Sequence, residues 1–145
     1  MKNLGHRLGA SGTILENTVE GLLESLDLVS DKRFKYWEFD VRESSDGVLF
    51  AFHDDCIKIN GKMIETRFLS YDEVYRAGDS MMISIPTFQQ IIEVLKDREE
   101  RVMIEIKNVH SDASRETLLI SVSGNEDWIL MSTPERFVKS FPSET

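Results

Sequence analysis

Apolar and polar positions along the chain switch between two periods, and the switches mark out the elements. Val19, Leu22, Leu23 and Leu26 recur at helical spacing behind a loop rich in Gly and Ser, which predicts a loop followed by a helix. Over residues 34–42 the period falls to two, with Trp37, Phe39 and Val41 on one face and Tyr36, Glu38, Asp40 and Arg42 on the other. That pattern predicts a strand with a charged face. Ser45-Asp46-Gly47 carries turn chemistry, and the apolar run over residues 48–52, closed by His53-Asp54-Asp55, predicts a second strand.

Residues 56–67 are polar around Asn60-Gly61, which fits a tight turn or a short hairpin. Ser70 with Glu73 is a capping-box pattern for a short helix, and Pro86 followed by Phe88, Ile91, Ile92 and Leu95 predicts a longer one. Residues 101–108 alternate again, Val102, Ile104 and Ile106 against Met103, Glu105 and Lys107. A helix over 113–122, a strand over 128–131, and Thr133-Pro134-Glu135 as the N-cap and first turn of another helix complete the pattern. Alternating strands and helices predict an α/β fold with a parallel sheet, whose ligand sites lie beyond the carboxyl ends of the strands.

Composition narrows the picture. A chain of 145 residues with 41% hydrophobic content fits one domain over 1–145. The formal charge of -9, from 26 acidic and 17 basic side chains, disfavours nucleic acid and anionic lipid as partners, so a small anion would need a local cation. The single Cys56 excludes an intrachain disulfide. There is no basic and apolar leader and no run of 18 apolar residues, so a soluble, cytoplasmic protein without membrane insertion is expected.

Chemistry gathers at the later ends of the strands. Glu38 and Asp40 on one strand face and Glu105 on another strand offer the hard oxygen ligands that Mg2+ or Ca2+ prefers. Alternatively, Glu38 and Asp40 are the solvent face of an edge strand. His6-Arg7, expected at the end of a first short strand, and His53 at the end of another supply two imidazoles able to move protons near neutral pH. Arg7 and Lys107 fit either phosphate binding or salt bridges to Glu38 or Glu105, and His110 has no partner pattern.

Read in order, His6-Arg7 with Gly9-Ala10-Ser11-Gly12, Glu16-Asn17-Thr18, Glu38-Phe39-Asp40-Val41-Arg42, Asp46-Gly47-Val48, His53-Asp54, Ile85-Pro86-Thr87 and Ile104-Glu105-Ile106-Lys107 resemble the glycerophosphodiester phosphodiesterases. The resemblance implies a TIM-barrel-like fold, here incomplete, with about five parallel strands of a (β/α)8 barrel and the C-terminal portion missing. It implies that Glu38, Asp40 and Glu105 bind one divalent cation, Mg2+ or Ca2+, and that His6 and His53 act as acid and base. Arg7 and Lys107 then look like phosphate-binding groups, and Glu16 and Asn17 like positioning residues. The implied activity is metal-dependent hydrolysis of a small phosphodiester to glycerol 3-phosphate and an alcohol. The alternatives are a non-catalytic metal-binding module derived from the family and a sphingomyelinase D-like phospholipid-cleaving enzyme.

Two departures stand in the first loop. Leu8 is interposed where the family has Gly directly after His-Arg, and Leu15 replaces the Pro before Glu-Asn-Thr, which predicts a reshaped loop. An open barrel would expose strand edges, so a homo-oligomer that covers them is expected.

Overall fold

The computed structural model describes residues 3–133 and 136–139. The expected strand β1 forms at Trp37–Glu43, and every one of its seven residues is buried. Its β-branched and aromatic face enters the main apolar core. Its charged face is covered as well, which overturns the edge-strand alternative for Glu38 and Asp40. Strand β2, Leu49–Ala51, returns antiparallel beside it, because the turn at Ser45-Asp46-Gly47 is far too short for a parallel crossover.

The polar excursion is a hairpin, β3 at Cys56–Ile59 and β4 at Lys62–Glu65, with Asn60 and Gly61 both at positive φ in its turn. Each of the four α-helices among the described residues has a side-chain N-cap, of which the Ser70 one was predicted. In α1, Val19–Glu24, the Thr18 hydroxyl accepts from the Gly21 N–H, and α2, Tyr71–Ser80, opens on a full Ser70/Glu73 capping box. The helix α3, Phe88–Leu95, has a second capping box from Thr87 and Gln90, and α4, Asp112–Val122, is capped by Ser111. Strands β5, Val102–Asn108, and β6, Trp128–Thr133, complete the parallel part.

The main sheet has the order β2-β1-β5-β6-β7, with β7 at Arg136–Lys139. Only β1, β5 and β6 are parallel to one another; β2 and β7 are antiparallel to their neighbours, so three strands rather than five share one direction, and the barrel does not close. The helix expected after Thr133 is also corrected. Pro134 and Glu135 lie outside the described residues, and residues 136–139 form a strand that pairs with β6, supplying partners for backbone groups that would otherwise be an open edge. No strand forms before His6 among the described residues. The Asn3 side chain instead bonds the backbone of Gly5, Lys35 and Tyr36, taking ladder positions that a strand would fill.

Packing decides which face becomes a site. Trp37, Phe39 and Val41 of β1, Val102 and Ile104 of β5, and Trp128 and Leu130 of β6 join Leu22, Ile91 and Leu118 of the helices in one core. The opposite face carries Tyr36, Met103, Ile129 and Met131 in a smaller apolar patch, and the carboxylates lie on that same face. A second core, with Phe50, Ile57, Val74 and Ile85, joins β2, the hairpin and α2.

Candidate active site

Register brings the acids together. In the parallel pairing of β1 with β5, Glu38 lies opposite Met103 and Asp40 opposite Glu105, so all three carboxylates share one face, in the first half and middle of the strands rather than at the later ends that the sequence led one to expect. One oxygen from each of Glu38, Asp40 and Glu105 falls within 4.8 Å of the others. Glu38 and Asp40 are 4% and 1% exposed. Burial, then the charge of Asp40, pushes the Glu38 carboxyl up to about 8, and burial raises Asp40 too. Burial also works against the charge on Glu105, but hydrogen bonds from Lys107 and Glu38 outweigh it and hold that carboxyl below its ordinary value. Three crowded acids of this kind fit a divalent cation, because the ion would remove the repulsion that their proximity creates.

The first loop reaches the acids by a close approach. A Cβ on Gly5 would lie 2.0 Å from the Tyr36 carbonyl oxygen, so only glycine lets the loop settle on β1 here. The Glu38 N–H then donates to the Gly5 carbonyl, and the Arg7 N–H donates to Glu38 Oε1 at 3.0 Å. Leu8, the interposed residue, is fully buried in the main core and sits at φ 62°, a left-handed conformation that suits glycine. Arg7 at φ 51° and Asn17 at φ 58° share that strained geometry, which costs on the order of 1 kcal/mol or more per residue and is commonest where a side chain must be aimed.

His6 points its Nε2 to within 3.8 Å of Glu38 Oε1, while its Nδ1 meets Ser11 Oγ at 3.0 Å. Burial, then the Arg7 charge, lowers the His6 imidazole below its ordinary value. Arg7 does not pair with Glu38 through its guanidinium. Its Nη1 donates to both oxygens of Glu16 at 2.9 Å, and its buried Nε, 4.0 Å from Asp40 Oδ2, has no hydrogen-bond acceptor. Asn17 Nδ2 donates to Asp40 Oδ2 at 2.9 Å, and Lys107 Nζ lies 3.1 Å from Glu105 and 4.0 Å from Asp40. Thus the salt-bridge alternative is realised for Lys107 with Glu105, whereas Arg7 pairs with neither Glu38 nor Glu105 but with Glu16. A cavity of about 1030 Å3 is lined by His6, Arg7, Glu38 and Glu105 together with Tyr36, Met103 and Met131.

His53 follows β2. Its Nδ1 is 2.9 Å from Asp54 Oδ1. A carboxylate can only accept, so Nδ1 holds the proton and Nε2 is left for proton exchange. His110 lies elsewhere, its Nε2 on the Ser44 carbonyl at 3.1 Å.

Two residues escaped the sequence reading. Arg42 is buried at 3% exposure, and its guanidinium is spent wholly on the His53 loop: Nε to the Phe52 carbonyl, Nη2 to the His53 carbonyl, and Nη1 to Asp55 at 2.8 Å. The register shift between Val41 and Arg42 turns it toward that loop. Glu43, fully buried, accepts from the His110 and Ser111 N–H groups and the Ser111 hydroxyl, tying the β5–α4 connection to β1. Its neighbours Arg42 and Ser44 are polar, so the sequence carried no signal of its burial.

An α/β sheet of TIM-barrel type that does not close, with acids on one face of its parallel strands and His6, Arg7 and Lys107 beside them, defines the class. The chain belongs to the glycerophosphoryl diester phosphodiesterase family, whose model matches residues 6–142. A glycerophosphodiester phosphodiesterase from Agrobacterium tumefaciens superposes with a TM-score of 0.56 at 26% identity, over 78% of this chain and 51% of that one. An Oleispira antarctica phosphodiesterase, solved in complex with the product sn-glycerol-3-phosphate, gives 0.51 at 28% identity over 78% and 47%. A Silicibacter pomeroyi structure at 19% identity shares the fold, with a TM-score of 0.62 over 89% and 55%. The chain therefore spans about half the length of these solved relatives. No curated protein matches it at a significant level. No helix among the described residues is long and apolar enough to cross a membrane.

Proposed function

We propose that the protein hydrolyses glycerophosphodiesters to glycerol 3-phosphate and an alcohol, with one divalent cation, Mg2+ or Ca2+, held by Glu38, Asp40 and Glu105. The observation that supports this reading is the convergence of those three carboxylates within 4.8 Å in a chain of this family. When bound, the cation supplies charge neutralisation at the phosphoryl oxygens as negative charge builds in the transition state.

The chain's own residues would do the rest. Arg7 and Lys107 present positive charge beside the acids and would hold the phosphodiester, while Glu16 fixes the Arg7 fork and Asn17 fixes Asp40. His6, kept neutral by burial and by Arg7, is suited to take the proton of the substrate glycerol hydroxyl as that oxygen bonds phosphorus. His53 gives a proton from Nε2 to the departing alcohol oxygen as its P–O bond breaks, leaving a cyclic phosphate. Water then opens the ring with the two roles reversed, its proton passing to His53 while His6 returns one to the glycerol oxygen.

The test is release of glycerol 3-phosphate from glycerophosphocholine with Mg2+ or Ca2+, and its loss in EDTA. No release under either metal removes the hydrolase reading. The unclosed sheet favours one other reading, a metal-binding module without turnover, since an open mouth excludes water poorly. Cation binding without release would establish it.

A further inference from the structure

A second cavity, of about 360 Å3, adjoins the first loop at Thr13, Ile14, Glu16 and Asn17. One end is bounded by Glu16, Asn17 and His53, the residues that hold Arg7, hold Asp40 and are assigned the proton of the departing alcohol. The remainder is bounded largely by aliphatic and thioether side chains from the hairpin and from the segment after α2, among them Ile57, Met63 and Ile83. At its rim Ile14 is 51% exposed and Met63 62%, large apolar groups left in water beside a concave apolar surface.

We propose that this cavity receives the departing alcohol of the diester and favours alcohols bearing an unbranched aliphatic chain. The inference rests on the hydrolase reading, and adds the substrate class to it. Because His53 lines this cavity together with Glu16 and Asn17, an alcohol whose oxygen takes the His53 proton would have its chain seated here. Its size falls at the lower end of the range of small-molecule sites. Phe52 is the only Phe, Tyr or Trp in its lining, so it is not an aromatic cage for a quaternary ammonium group. Methionine walls adapt to a flexible chain.

The experiment compares glycerophosphodiesters of ethanol, butanol, hexanol and octanol with the metal-loaded protein, beside a Met63→Glu variant whose altered side chain lies at the rim. Each methylene buried should raise kcat/KM about fourfold, the equivalent of ~0.8 kcal/mol, until the cavity is filled. In Met63→Glu the ratio of kcat/KM for the octanol diester to that for the ethanol diester should shrink at least tenfold. A 13C-methyl methionine spectrum gives a second readout: 1-octanol should shift the Met63 and Met81 signals without any turnover being required. Turnover of the ethanol diester with a flat chain-length series, or unmoved methionine signals, overturns this inference alone. Absence of turnover on every diester overturns the hydrolase reading and this one with it.

Discussion

Replacing Glu38 by Gln removes a charge from the centre of the acid cluster with little change of shape, and the variant keeps an oxygen for the Arg7 N–H. In the metal-free protein Glu38 titrates at about 8 rather than 4.5, chiefly because it is buried and secondly because Asp40 is charged. A carboxyl whose folded-state value is raised binds its proton more tightly folded than unfolded. Stability is therefore lost as pH rises from about 4.5 toward 8, and at pH 7 the loss amounts to about 3 kcal/mol. Asp40, also raised, acts in the same sense, whereas the stabilising contribution of the lowered Glu105 disappears only as pH falls below its ordinary value. Gln carries none of this burden. In EDTA at pH 7, Glu38→Gln should be more stable than the parent by about 1–3 kcal/mol, a rise in Tm of roughly 3–10 °C, and the gap should close near pH 4.5. Millimolar Mg2+ or Ca2+ should then raise the parent's Tm by linkage and leave the variant nearly unmoved. Thermal unfolding followed by circular dichroism reads both effects. A variant less stable than the parent in EDTA at pH 7, or a gap that does not depend on pH, would refute the account of a crowded acid cluster.

Arg42→Met removes two charge-assisted bonds to the Phe52 and His53 carbonyls, and the exposed Asp55 partner adds little; the expected cost is about 2–4 kcal/mol in unfolding free energy. Turnover should fall about a hundredfold as His53 loses its seat, with KM nearly constant, and Arg42→Lys should recover part of both; unchanged melting and turnover in Arg42→Met would show that the clamp is idle. Glu105→Gln should abolish metal-dependent turnover while His110→Ala leaves it intact, because the His110 imidazole meets only Ser44 and Glu43 and the N–H bond to Glu43 survives the change; equal losses in both would dissolve the site assignment. Sedimentation at micromolar concentration should show self-association through the apolar surface near α4, where Leu119 and Ile120 are 50% and 65% exposed; a strictly monomeric species refutes it.

How much of this was legible in the sequence depended on whether the deciding force is local. The period of two across residues 34–42 and 101–108 carries strand parity, and parity alone puts Glu38, Asp40 and Glu105 on one face once β1 and β5 pair. The capping boxes at Ser70 and Thr87 were equally local, since side chain and backbone three residues apart satisfy each other. The direction of β2 was readable too, had the short turn been weighed against the length a parallel crossover needs. By contrast, Thr133-Pro134-Glu135 satisfies the rules for a helix start, yet the unpaired edge of β6 offers residues 136–139 a ladder of bonds that no local propensity encodes. The Arg42 clamp is hidden for a related reason: two of its three acceptors are main-chain carbonyls, which have no signature in the sequence.

The acid cluster itself was legible as a list of residues and illegible as an energy. Sequence shows three carboxylates; only the folded register shows that they lie so close that one of them is driven to hold its proton near neutral pH. Here local preference and tertiary structure conflict over charge, alongside the left-handed Arg7, Leu8 and Asn17 of the neighbouring loop. A chain under no demand but stability would relieve such crowding with a single amide, as Glu38→Gln does. That such crowding persists beside the His6 imidazole and the Arg7 and Lys107 cations is what the proposed metal-dependent chemistry accounts for and folding does not.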